Sequence, residues 1–313
     1  MLFAKETSTN KTLPKKLLVS SVSLCMAAIL LTSCVFPAAV ASTQRSTFSV
    51  LQPSEPGKDA LDLDKVTVDD SNQKEGYFSV KSKLGEKKVK VVVDVTGIRY
   101  QYVIQNTDEY VTIPFSQGSN EYAISIWEHL ESDSYLLLYE QVMTVELEDE
   151  FKPFLYPNQF VDFSSDDSAV ELSKQLCEKA GNDIEVINAI YSWVIKNIAY
   201  DGDMDSKMAS GYLPSNENTL DTRSGMCFDI AVLTCSMLRA EGIPTKLVIG
   251  EKDNVPHAWL LVYSKEPGKV AGHSLNAYQW KLMDPTHDAT ATTMDKLLGQ
   301  NDSEKGYQAF FYH

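Results

Sequence analysis

Basic residues are in short supply in this 313-residue chain: 28 Lys and Arg stand against 43 Asp and Glu, a formal charge of −15 at pH 7. Binding a nucleic-acid backbone needs clustered cations to replace condensed counterions, so the deficit argues against DNA or RNA as a partner. It equally disfavours electrostatic adhesion to anionic lipid. Cysteine is sparse, with five residues, which excludes a disulfide-stapled miniprotein and leaves stability to a hydrophobic core. The five histidines form no cluster with Cys or carboxylates at metal-ligand spacing, and no Gly-rich phosphate loop occurs, so no metal and no cofactor is expected. What is present, 43% hydrophobic and 10% aromatic residues, suits one large or two ordinary domains and not a disordered acidic segment.

One long apolar run exists. Leu17 to Leu31 follows the basic residues Lys11, Lys15 and Lys16; at about fifteen residues it falls short of the roughly twenty that span a bilayer and reads as a secretory signal. Leu31-Thr32-Ser33-Cys34 resembles the bacterial lipobox, which implies lipid attachment at Cys34 and a membrane-anchored, exported protein. Ala39-Val40-Ala41 also fits a small-x-small cleavage site, and free secretion is the alternative. Removal of residues 1–41, which carry four basic and one acidic residue, leaves 24 basic against 42 acidic side chains. With Cys25 lost and Cys34 lipidated, Cys177, Cys227 and Cys235 remain. Three thiols do not make a disulfide framework.

Residues 1–33 are therefore expected to be a signal peptide and 34–75, polar and without sustained period, a flexible tether, unless Leu61 to Val68 adds a strand. From about 76 to 150 the pattern changes to period two. Val89, Val91, Val93 and Val95 alternate with polar positions, Thr96-Gly97 marks a turn, and Ile98, Tyr100, Tyr102 and Ile104 resume the alternation, which predicts a hairpin. Further runs at 109–113, 122–127 and 135–147 predict about six short strands in a small antiparallel sandwich. His129 is expected at its surface. The sandwich reads as a spacer or binding domain.

Residues 151–313 open with helical periods. Ser168 to Lys179 and Ile184 to Ile198 are predicted helices, the second capped by Asn182 or Asp183. Asp201-Gly202-Asp203-Met204-Asp205 looks briefly like a calcium loop, but Ser206 and Tyr212 stand where Gly and Glu are required, so it reads as a solvated turn. Arg223-Ser224-Gly225-Met226-Cys227 runs into an apolar stripe of Ile230, Leu233, Met237 and Leu238, stopped by Gly242 and Pro244, so Cys227 opens a buried helix. Free N–H groups and the helix dipole there favour a thiolate, the nucleophilic form. A base is then required. His257 heads a strand-like run to Tyr263, and Asp284 ends another at Trp280 to Met283, offering a base and a group to fix its tautomer. Cys177 and Cys235 read as core. His273 and His287 read as loop surface, with His287 a weaker alternative base.

Gly225-Met226-Cys227, then Leu238-Arg239-Ala240-Glu241-Gly242-Ile243-Pro244, then His257-Ala258-Trp259, then Asp284-Pro285-Thr286 together resemble the transglutaminase-like domain, within the papain-like thiol enzymes, over roughly residues 165–290. The resemblance implies an α+β fold in which a cysteine-bearing helix packs on an antiparallel sheet, here preceded by the β-sandwich. It implies Cys227 as nucleophile, His257 as general base and acid, and Asp284 as the orienting group, acting on a protein or peptide substrate by crosslinking, proteolysis or deamidation. The Cys227 N–H is the first oxyanion donor; Tyr200 is the candidate for the second, while Trp193 reads as core. The alternative is a non-catalytic surface lipoprotein whose domains bind a cell-wall or protein partner.

Overall fold

The computed structural model describes residues 48–105, 109–132, 134–202, 211–291 and 303–313. The expected signal, Cys34 and most of the calcium-like run lie outside the described residues. Among the described residues no helix is long and apolar enough to cross a membrane.

Two four-stranded antiparallel sheets form the first half. One is ordered β1-β2-β3-β6, from β1 (Ala60–Asp62), β2 (Val66–Asp69), β3 (Tyr77–Ser82) and β6 (Val111–Pro114); the other is ordered β5-β4-β7-β8, from β4 (Lys88–Val95), β5 (Ile98–Gln105), β7 (Asn120–His129) and β8 (Tyr135–Val145). Their inward rows, among them Val66, Phe78, Val91, Tyr102 and Ile124, are fully buried in one apolar cluster. That is the sandwich the alternation predicts. The β4–β5 hairpin turns at Thr96-Gly97, both at positive φ, and pairs Val95 with Ile98.

The tether expected over 34–75 needs correction at its C-terminal end. β1 and β2 pair antiparallel within that range, and Val66 and Val68 enter the sandwich core. The hydrophobic alternation is too short to dominate its polar flanks, but an existing sheet edge at β3 supplies the missing partner. Earlier still, Val50 packs against the second core, and a Cβ added to Gly242 would lie 2.6 Å from the Phe48 ring.

The second half is a helical layer on a sheet. α1 (Ser168–Cys177), α2 (Asp183–Asn197) and α4 (Cys227–Ala240) pack around one core, with the short α3 (Asn216–Thr222) between α2 and α4. The side chain of Asn182 accepts the Glu185 N–H at the start of α2. The sheet is ordered β15-β12-β11-β16, from β11 (Thr245–Lys252), β12 (Val255–Ser264), β15 (Gln279–Met283) and β16 (Tyr307–Tyr312). β16 is the aromatic run at the end of the sequence. The two halves share side chains: Gln159 exchanges hydrogen bonds with the backbone of Val103, and the Phe160 ring lies 5.6 Å from Tyr102 and 4.4 Å from His313.

Candidate active site

The cysteine is placed by a short crossover. β9 (Ala199–Tyr200) and β10 (Ser224–Gly225) pair in parallel, after Arg223 turns the chain at φ 54°. Gly225 must be glycine: a Cβ there would stand 2.7 Å from the Asp229 Cβ. That closeness lets the Asp229 carboxylate accept the Met226 N–H at 2.9 Å while its other oxygen accepts the Tyr212 hydroxyl at 2.6 Å. A carboxylate closing on the N-cap N–H satisfies an otherwise orphaned donor and complements the helix dipole. Cys227, the first residue of α4, is partly exposed, whereas Cys177 and Cys235 are buried. Burial pushes the Cys235 thiol up to about 11, and its Sγ faces the Thr245 carbonyl at 3.4 Å, as an inert core residue should.

His257 lies near the start of β12, opposite Gly250 of β11. Gly250 is also constrained, because a Cβ would collide with the Gln308 carbonyl and lie 2.7 Å from the Trp259 ring. The imidazole stacks on Trp259 with ring centroids 6.1 Å apart. Its Nε2 meets Asp284 Oδ2 at 2.7 Å, and Cys227 is near enough to bear on its charge. Burial opposes charge on His257, but Asp284 and then Cys227 outweigh it and raise the imidazole to about 9. An imidazolium beside a thiol is the pairing that stabilises a thiolate.

Asp284 follows β15 and caps the short helix α5 (Pro285–Thr290), accepting the His287 N–H on Oδ1 at 2.9 Å. On Oδ2 it also accepts the Tyr307 hydroxyl at 2.7 Å, and the Lys252 ammonium stands 3.9 Å away. Burial would raise this carboxyl, which is only 2% exposed; His257 first, then the His287 N–H and Tyr307, hold it below the ordinary value. A carboxylate that stays ionised inside the protein can hold His257 in one tautomer.

His257 and Asp284 are therefore joined, with Cys227 near the imidazole. Tyr200, the oxyanion candidate, is 41% exposed and is paired across β9–β10 with Gly225, which stands two residues before Cys227. Trp193 lies at the rim of the helical core under Arg223, 4.9 Å from ring centroid to guanidinium. His129 Nε2 donates to the Ser132 carbonyl at 2.7 Å, in the sandwich and away from these residues. Two histidines depart from expectation. His287 contributes its backbone N–H to Asp284. His273 is 1% exposed, not at the surface: the hairpin of β13 (Gly268–Val270) and β14 (His273–Leu275) packs against α2, and His273 Nε2 bonds Asp288, which also accepts the Tyr191 hydroxyl at 2.6 Å. Asp229, Tyr212 and Tyr307 were missed by sequence reasoning. Only Asp229 had a local signal, an acid three residues after the N-cap. Among the described residues no group of three or more His, Cys, Asp or Glu side chains could hold a metal.

The family model of the transglutaminase-like superfamily matches residues 170–285, the segment that holds all three groups. No protein of curated function matches the chain. Among solved structures, a protein from Cytophaga hutchinsonii provisionally named a cysteine protease is 17% identical, with a TM-score of 0.38 over 81% of this chain and 73% of that one. A transglutaminase is 19% identical over 40% of this chain, with a TM-score of 0.30, and the match covers 31% of its own length. Red sea bream transglutaminase is 10% identical, with a TM-score of 0.28 over 67% of this chain and 48% of its own length.

Proposed function

We propose that this chain, which carries a domain of the transglutaminase-like superfamily over residues 170–285, is a thiol enzyme that transfers acyl groups at protein or peptide amides. One observation carries the reading: His257 is hydrogen-bonded to Asp284 at 2.7 Å and stands near enough to the partly exposed Cys227 for the two to influence each other's charge.

The thiolate of Cys227 attacks an amide carbonyl carbon, forming a C–S bond and a tetrahedral oxyanion. The Cys227 N–H, which has no carbonyl to bond within α4, is aimed at that oxygen; Tyr200 is the candidate second donor. As the C–N bond breaks, the His257 imidazolium gives its proton to the leaving amine, and the acyl group remains as a thioester. The neutral imidazole then takes a proton from an incoming amine or water, which attacks the thioester and releases Cys227. An amine gives a crosslink; water gives cleavage or deamidation. Because His257 titrates near 9, the acylation rate is expected to fall as pH rises through that value, where the proton donor is lost. Export through the signal and lipid attachment at Cys34 would present this chemistry outside the membrane, to substrates that include cell-wall peptides.

Incubation of the chain with a peptide library and a labelled amine, read by mass spectrometry against Cys227→Ala, tests the reading. Amine incorporation, peptide cleavage or a one-dalton gain at Gln that vanishes in Cys227→Ala supports it. Silence in all three channels contradicts it and favours a binding protein.

A further inference from the structure

Asp284 Oδ2 is unusually crowded. It accepts from His257 Nε2 at 2.7 Å and from the Tyr307 hydroxyl at 2.7 Å, with the Lys252 ammonium 3.9 Å away. Tyr307 begins β16, beyond residue 285, where the family match ends. Nothing local to the Cys, His or Asp motifs brings it there; the register of β16 on β11 does, by pairing Tyr307 with Lys252 and Gln308 with Glu251. Three further contacts hold β16 on the sheet, two of them beyond a register shift between Ile249 and Gly250. The backbone N–H and C=O of His313 exchange 2.8 Å hydrogen bonds with Leu247. Fully buried Arg239, on the same helix as Cys227, donates to the His313 carbonyl at 2.6 Å and to the Thr245 carbonyl at 2.9 Å. The Tyr307 ring lies edge-on to Trp259 at 5.1 Å, with the Lys252 ammonium 4.9 Å above it.

We propose that Tyr307 is a positioning residue of the thiol site: its hydroxyl clamps Asp284 Oδ2 so that one carboxylate rotamer faces His257, and it shares the negative charge that Asp284 directs at the imidazole. The inference rests on the thiol-enzyme reading and extends the site to a strand outside the family-matched segment. The carboxylate oxygen has a limited supply of lone-pair density, and a second short donor competes with His257 for it. A carboxylate with one donor on Oδ2 would turn more freely about the bond to Cβ and would pull harder on the imidazolium when aligned. The other charged groups facing this cluster are Lys252, Asp253 and Asp288: Asp288 from α5, and Asp253 from the turn between β11 and β12. Burial and the carboxylates of Asp284, Asp288 and Asp253 push the Tyr307 phenol far above its ordinary value, so it stays a donor throughout the working pH range.

Tyr307→Phe removes the hydroxyl and keeps the ring on Trp259, so a packing role survives and a clamping role does not. His257 is followed by NMR of the imidazole carbons from pH 5 to 11, in the wild type, in Tyr307→Phe and in Lys252→Gln, with Cys227 alkylation timed in the same samples. The expected result is a His257 midpoint displaced upward in Tyr307→Phe, with Cys227 alkylation at pH 7 altered by more than twofold and thermal unfolding little changed. A midpoint coincident with wild type and alkylation within twofold would overturn the inference while leaving the thiol reading intact. A wild-type His257 that titrates as an ordinary imidazole beside an unreactive Cys227 would overturn both. If Lys252→Gln shifts the midpoint and Tyr307→Phe does not, the lysine is the group that tunes the site, and the proposal is contradicted.

Discussion

The two halves of the molecule bury polar groups in different ways. In the sandwich the inward rows are apolar, and the covered Glu128 is reached by Lys65 at 2.6 Å from a partly exposed position and by Lys87 at 2.7 Å from an exposed one. In the second half Asp229, Arg239, His273, Asp284 and Asp288 are all 2% exposed or less and find their partners inside. Three backbone oxygens, of Tyr156, Thr245 and His313, accept from Arg239. Burying such groups costs desolvation that hydrophobic replacement would avoid. A core of Val, Ile and Tyr is sufficient for a stable platform. The concentration of buried polar groups within contact of α4, β12 and α5 is what a site needing fixed geometry requires, and it falls where the Cys, His and Asp meet.

The sharpest way to break that comparison is Cys227→Ala. Turnover is expected to fall below detection while the thermal midpoint stays within about two degrees of wild type, since the side chain is partly exposed and its removal leaves no large cavity. Next is Asp284→Asn, which keeps the shape and removes the charge. A drop in turnover of about a thousandfold or more is expected, because the wrong tautomer of His257 is stabilised, together with a His257 midpoint that falls from about 9 toward an ordinary imidazole; NMR titration and steady-state rates check both.

The same groups give stability a pH dependence with a definite sign. His257 is raised from 6.5 to about 9, so its contribution is complete below 6.5 and is lost as pH rises through 9. Asp284 is depressed below 3.8, so its contribution is present above that value and is lost as pH falls through the lower folded-state value. Unfolding by urea across pH 3 to 10 should show both edges in wild type and lose the alkaline edge in His257→Gln. A sandwich substitution sharpens the contrast from the other side. Ile124→Ala, at a fully buried position, is expected to cost about 2–4 kcal/mol of stability while leaving the rate of Cys227 alkylation unchanged. The smallest effect is expected of Lys87→Ala, which leaves Glu128 with Lys65 and costs about 0–1 kcal/mol in a chemical melt.

Much of this arrangement was legible in the sequence because its signals are local. Alternation around Thr96-Gly97 is enough for a hairpin, and a glycine before a cysteine that heads an apolar helical stripe is enough to place Cys227. His257 and Asp284 stand at strand ends that their own runs define. What escaped depends on distant partners. β1 and β2 are short strands that the edge of β3 completes. His273 sits in a hairpin whose burial comes from α2, not from its own sequence. Tyr307 reaches Asp284 through the register of β16 on β11, a pairing between segments some fifty residues apart, and no local pattern carries that information.

The most direct test is a competition among the three thiols. Limiting iodoacetamide at pH 7, quenched over a time course and read by peptide mass spectrometry, compares Cys227 with Cys177 and Cys235 in the folded chain. The proposed site predicts that Cys227 is alkylated at least a hundredfold faster than either buried thiol, and that the advantage collapses in His257→Gln. Slow labelling at equal rates for all three would contradict the account.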